Sequence, residues 1–151
     1  MCDRTRQSDP VLSGHRFSSV LKTSITGPLS MTKIKIATTA DVSADKVLKT
    51  KANGQSVLVA KVDDRYCAIA NKCPHLGLPM ANGKLENGVI TCPFHGSKFE
   101  VCSGKNVEWV ESFVGLPLPG VAKKVMAMGK EPTDAASFPV TQEGDDLYID
   151  L

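Results

Sequence analysis

From residue 31 onward, apolar and polar residues alternate with a period near two, in short runs closed by Gly, Asn or Asp. Residues 33–37 alternate lysine with isoleucine and predict a strand. Residues 46–52 predict another, ended by Asn53-Gly54. Runs at 57–62 and 66–70 flank Asp63-Asp64 and predict a hairpin. Leu85 and residues 89–91 flank Glu86-Asn87-Gly88, and Asn-Gly is the strongest short-range hairpin signal because both residues tolerate positive φ. Residues 98–101 and 106–109 flank Ser103-Gly104. Residues 122–128, 138–141 and 147–151 complete the series, the last two on either side of Glu143-Gly144-Asp145. No stretch predicts a helix longer than a turn or two. Short strands at this spacing predict an all-β fold, an antiparallel sandwich or barrel.

Residues 1–30 lack this pattern. They are rich in Ser and Thr, and Phe17, Val20 and Leu21 have helical spacing. Arg4, Arg6, Arg16 and Lys22 outnumber Asp3 and Asp9. Two readings stay open: a disordered leader, or a transit segment for a plastid or mitochondrion. Met31 opens the patterned region as a start codon would. The expected organisation is therefore a leader at 1–30 and one domain at 31–151.

Composition removes several classes of function. The chain has 18 basic and 16 acidic residues, and the region from Met31 onward has 14 of each. A formally neutral body offers no electrostatic footprint for nucleic acid. No apolar run approaches the roughly 20 residues of a membrane-spanning helix, so no membrane span is expected. The five cysteines are odd in number and do not form the dense pattern of a disulfide scaffold. A reducing compartment, with thiolates free to take a metal, suits them better, and the cytoplasm is the expected location.

Two segments break the strand pattern: Cys73-Pro74-His75-Leu76-Gly77 and Cys92-Pro93-Phe94-His95-Gly96. Each offers one thiolate and one imidazole in a loop tightened by Pro and Gly. His75 and His95 are the only histidines after Met31, and both lie within three residues of a cysteine. One Cys/His pair alone would read as a buried thiol beside a satisfied imidazole, and chance explains two pairs poorly. Structural zinc also takes two Cys and two His, but its paired ligands usually stand two to four residues apart, whereas Cys73 and His75 have one residue between them. Cys67, within a strand, and Cys102, before a turn, read as core thiols, with a disulfide or redox sensor as the alternative. Trp109 and Phe113 read as packing residues.

The paired loops resemble the signature of the Rieske family, in which two Cys hold one iron of a [2Fe–2S] cluster and two His the other. The resemblance covers residues 31–151. It extends to residues 114–120, which resemble the family's third, proline-rich cluster loop. It implies a Rieske-type antiparallel β-sandwich or barrel with a small cluster-binding subdomain built on two loops. It also implies a [2Fe–2S] cofactor, one per chain, on Cys73, His75, Cys92 and His95. Leu76, Leu78, Phe94 and Pro117 would shield the irons, and Ser97 would bond a bridging sulfide. Respiratory members carry an extra cysteine in each loop, joined as a disulfide, where this chain has Leu78 and Phe94. They also carry a Tyr hydrogen-bonded to a ligand sulfur where this chain has Phe99. The balance resembles the soluble ferredoxins of bacterial aromatic-ring dioxygenases.

That resemblance implies a one-electron carrier and not an enzyme. Two thiolates cancel the charge of the oxidised cluster and neutral imidazoles add none, so one electron produces a single negative charge. Without the Tyr donor and the loop disulfide, the expected potential lies at the low end of the Rieske range, about −150 mV. An oxygenase catalytic subunit needs a second iron on two His and a carboxylate, and only His15 would remain for it. The expected partners are an NAD(P)H-dependent flavoprotein reductase and a terminal oxygenase, meeting a monomer near Leu76 and Pro117. The alternative is a Rieske-fold small subunit or regulatory domain of a larger reductase, similar to the nitrite reductase small subunit.

Overall fold

The computed structural model describes residues 32–151, and the expected leader or transit segment at 1–30 lies outside the described residues. The strands follow the predicted alternation closely: β1 (Lys33–Thr38), β2 (Leu48–Ala52), β3 (Gln55–Val62), β4 (Arg65–Ala70), β5 (Lys84–Glu86), β6 (Val89–Thr91), β7 (Lys98–Glu100) and β8 (Asn106–Glu108). Two further strands, β9 (Ser112–Phe113) and β10 (Leu116–Pro117), precede a helix, α1 (Gly120–Met126). The chain ends with β11 (Ser137–Phe138), β12 (Val140–Glu143) and β13 (Asp146–Asp150).

Every strand pair is antiparallel, as the hairpin signals require. One sheet runs β11-β4-β3-β2, a second β1-β13-β12, a third β5-β6-β7-β8, and β9 pairs with β10 alone. The turn residues account for the registers. Ala52 faces Gln55 across Asn53-Gly54, and Glu86 faces Val89 across Asn87-Gly88. All four turn residues have φ between +47° and +78°, as a two-residue type I′ turn needs.

The β11-β4-β3-β2 sheet is apolar on both faces, so it serves two cores. Along β3, Val57 and Val59 point into one core with Ile36, Ala68, Leu147 and Ile149. Leu58 and Ala60 point into the other with Ile69, Met80, Ile90, Phe99 and Val101. Period-two side-chain direction produces this division. Each fully buried Val, Leu, Ile or Phe contributes roughly 1.5–3 kcal/mol. The second core joins the central sheet to β5-β6-β7-β8, the sheet from which the two Cys/His loops leave.

Two elements depart from expectation. Residues 122–128 predict a strand, but Gly120–Met126 is helical. Val121, Ala122, Val125 and Met126 recur at one-, four- and five-residue offsets, which suits a 3.6-residue turn as well as a strand, and Pro119 supplies the extended N-cap. Residues 138–141 predict one strand but supply two, because Pro139 has no N–H to pair; Phe138 joins β4 and Val140 joins β13.

Candidate metal centre

The two Cys/His loops close in the same way despite their different spacing. The Cys73 N–H donates to the Leu78 carbonyl (2.8 Å) and the Gly77 N–H to the Cys73 carbonyl (2.7 Å). In the second loop the Cys92 N–H donates to Ser97 (2.8 Å) and the Gly96 N–H to Cys92 (3.1 Å). Gly77 and Gly96 both have positive φ, +74° and +70°. At Gly96 a Cβ would stand 2.3 Å from Ser112 Oγ, so only glycine lets β9 approach. The backbones match, and the imidazole comes from the second residue after Cys in one loop and the third in the other.

This repetition brings like side chains together. The Cys73 and Cys92 thiols are buried, free of disulfides and within hydrogen-bonding reach of each other. The His75 and His95 rings meet edge to face with centroids 4.7 Å apart. Among the described residues, no group of three or more His, Cys, Asp or Glu side chains is arranged to hold one metal ion. Sorting into a sulfur pair and an imidazole pair suits two adjacent metals with different donors.

The neighbouring Cys92 sulfur, and then burial, push the Cys73 thiol well above the ordinary range. Cys92 is pulled down to about 6, chiefly by the hydrogen bond from Cys73 and then, against burial, by the N–H groups of Phe94 and His95. The N–H groups of His75 and Leu76 serve Cys73 in the same way. One thiol therefore releases its proton readily, and backbone donors face both sulfurs.

His75 is fully buried, and burial, reinforced by His95, holds its pKa below the usual histidine range. Its Nε2 lies 2.9 Å from the Met126 carbonyl. A carbonyl only accepts, so Nε2 carries the proton and Nδ1 has the free lone pair. That Nδ1 is the one buried side-chain nitrogen or oxygen without a partner among the described residues. An unprotonated, orphaned imidazole nitrogen beside paired thiols fits a metal ligand.

Other residues take varied places. Ser97 is fully buried and its Oγ accepts the Val110 N–H (3.1 Å), leaving the hydroxyl proton to donate elsewhere. Phe94 packs against the core that contains Cys73 and Cys92. Leu78 is half-buried, and Leu76 is 39% exposed. Pro117 is exposed in β10. The resembled third loop is the β9–β10 hairpin, fastened by Ser112 N–H to His95 O (3.2 Å) and Val114 N–H to Phe94 O (2.8 Å). Trp109 packs against the site-side core as expected, and the rings of Trp109 and Phe113 stand 5.5 Å from His75 and 6.0 Å from His95 respectively.

Cys67 and Cys102 do not stand as separate core thiols. They form a disulfide with Cα atoms 4.8 Å apart, within the ordinary range. The bond joins β4 of the central sheet to the turn after β7. The direction of Cys67 follows from the pleat, which sends it with Ile69 toward the site-side core.

Sequence reasoning passed over Asn71. Its buried side chain accepts the Met80 and Ala81 N–H groups (2.7 and 2.9 Å) and donates to Ser56 Oγ (3.1 Å), anchoring the first loop. An Asn two residues before a ligand-type Cys was a usable signal for it. Met126 carried none, because it acts through its carbonyl from 51 residues away.

A family model described as the Rieske [2Fe-2S] domain matches residues 32–117. The chain is 27% identical over 121 residues to the ferredoxin component of biphenyl 2,3-dioxygenase from Rhodococcus jostii (strain RHA1), covering 80% of this chain and 94% of that one. It is 32% identical over 76 residues to apoptosis-inducing factor 3 of Mus musculus, which covers 50% of this chain and only 12% of that protein. Among solved structures, the ferredoxin of carbazole 1,9a-dioxygenase from Nocardioides aromaticivorans IC177 shares the fold. It has a TM-score of 0.60 at 20% identity and covers 78% of this chain and 96% of that one.

Proposed function

Because the chain belongs to the Rieske [2Fe-2S] domain family, we propose that it is a one-electron carrier whose cluster rests on Cys73 and Cys92 at one iron and His75 and His95 at the other. The observation that carries this reading is the sorting of donors: the thiols meet each other, the imidazoles meet each other, and the buried His75 Nδ1 lacks a partner. Bound there, a [2Fe–2S] cluster supplies one reversibly held electron.

The chain's own residues adjust how readily that electron is taken. Backbone N–H groups of His75, Leu76, Phe94 and His95 point at the two sulfurs and stabilise negative charge on them. The Ser97 hydroxyl retains a proton to donate. Phe99, fully buried, brings no donor where respiratory relatives have a phenol. The N–H donors and Ser97 raise the potential, the missing phenol and loop disulfide lower it, and we expect the balance near the low end of the Rieske range, about −150 mV.

Catalysis belongs to partners, since His75 and His95 are committed and the described residues contain no other histidine for a second iron site. By likeness to a dioxygenase ferredoxin component, the donor is an NAD(P)H-dependent flavoprotein reductase and the acceptor a terminal oxygenase. Leu76, beside His75, and Phe113, beside His95, are exposed apolar contacts suited to a small transient interface. No helix among the described residues is long and apolar enough to cross a membrane. We place the chain in the cytoplasm as a monomer, where the Cys67–Cys102 disulfide is exceptional because a reducing compartment ordinarily keeps such thiols open.

An EPR spectrum of anaerobically purified, dithionite-reduced protein tests the reading. A rhombic signal of a mixed-ligand [2Fe–2S] cluster is expected, and either His75→Cys or His95→Cys should lower the potential or abolish the signal. A colourless, EPR-silent protein containing zinc refutes the cluster; unchanged spectra in both variants refute the ligands.

A further inference from the structure

The connection from β10 to β11 treats the two imidazoles differently. Residues 118–131 form a strap whose Met126 carbonyl accepts the His75 Nε2–H (2.9 Å) and whose Lys130 Nζ donates to the His75 carbonyl (2.5 Å). Trp109 holds the strap down, donating from Nε1 to the Lys130 carbonyl (3.1 Å), and its ring meets His75 edge to face. At the other end, Lys123 pairs with Glu111 and the Leu118 N–H donates to the Glu111 carbonyl (3.1 Å). His75 is 0% exposed. His95 is only half-buried, makes no side-chain hydrogen bond among the described residues, and faces Phe113, itself 46% exposed.

We propose that this strap makes His75 a closed, positioned ligand and leaves His95 as the port through which electrons enter and leave. The inference rests on the ligand reading above. Met126, Lys130 and Trp109 are then positioning residues: they hold the His75 ring and exclude water without touching a metal. Two consequences of the strap have the same sign. Excluding water disfavours the added negative charge of the reduced site, and an Nε2–H bonded to a carbonyl makes the imidazole a stronger donor. Both lower the potential, so loosening the strap raises it.

The test is acylation of imidazole Nε2 by diethylpyrocarbonate on the oxidised, cluster-loaded chain at alkaline pH, where an imidazole bound to metal through Nδ1 sheds its Nε2 proton, with peptide mass mapping. In the parent, His95 should react and His75 should react at least about tenfold more slowly, as a group reached only by local opening does. Replacing residues 121–130 by a Gly/Ser run of equal length that keeps the lysines at 123, 124 and 130 should bring His75 to the rate of His95 and raise the potential. Lys130→Met, which keeps the aliphatic stem, should speed the labelling of His75 in smaller measure; because it also removes a cation that favours the reduced site, its labelling and not its potential decides the matter if the longer replacement does not retain its cluster. Equal rates in the parent, an unreactive His95, or strap variants with the parent's pattern and potential would each overturn the proposal. Should the Cys variants of both histidines keep the parent EPR spectrum while the asymmetry of labelling persists, the ligand reading has failed and the closure of His75 has not.

Discussion

The Cys67–Cys102 disulfide closes a loop that contains the whole candidate centre, since residues 68–101 include both Cys/His pairs along with β5, β6 and β7. Replacing both cysteines by alanine opens that loop in the unfolded chain and unties β4 from the turn after β7. With a sequence separation of 35, the chain-entropy relation assigns the cross-link about 3.8 kcal/mol at 25 °C. For a domain of this size that corresponds to a fall in Tm of roughly 10–20 °C. The untied loops should also surrender the cluster faster, because both sulfurs belong to the enclosed segment. Thermal unfolding of parent and Cys67→Ala/Cys102→Ala protein, and decay of visible absorbance under an iron chelator, measure the two effects. Intact mass under thiol-trapping conditions establishes that the parent is lighter by two hydrogen atoms. Melting of the variant within about 2 °C of the parent would refute the assignment of stability to the cross-link. Trapping at Cys67 and Cys102 in the native parent, located by peptide mapping, would refute the bond itself.

Three further outcomes are expected. Gly96→Ala should cost about 2–4 kcal/mol and reduce cluster occupancy, because its Cβ would meet Ser112 Oγ at 2.3 Å in a backbone with φ +70°; urea unfolding and iron content report it, and a near-neutral result contradicts the close approach. Val114→Asn should stabilise by about 1 kcal/mol, since Val114 is a β-branched, 67% exposed residue at φ +48° ahead of Gly115 in a type I′ turn; a lower Tm would refute the strain. Phe99→Tyr should raise the potential if its phenol reaches a ligand sulfur, as the resemblance to respiratory relatives implies. Protein-film voltammetry reads the shift, and an unchanged or lowered potential counts against it.

The strands, their hairpins and the four candidate ligands were legible in the chain because they rest on local chemistry. Alternation places β3 between two cores, Asn-Gly fixes two registers, and a Cys and a His within three residues share a loop wherever the loop lies. Where two local rules competed, only the tertiary structure decided. Residues 120–126 have an apolar pattern that fits strand or helix, and the helix is realised where its last carbonyl, that of Met126, and Lys130 meet His75. Cys67 and Cys102 stand 35 residues apart, and nothing in the flanking residues distinguishes two core thiols from a cross-link until the pleat of β4 sends one toward the other. The centre divides in the same way: its donor types are determined locally, whereas the different exposure of its two imidazoles depends on a carbonyl 51 residues distant. Backbone groups are alike at every position, so a contact made through one leaves no mark on the sequence.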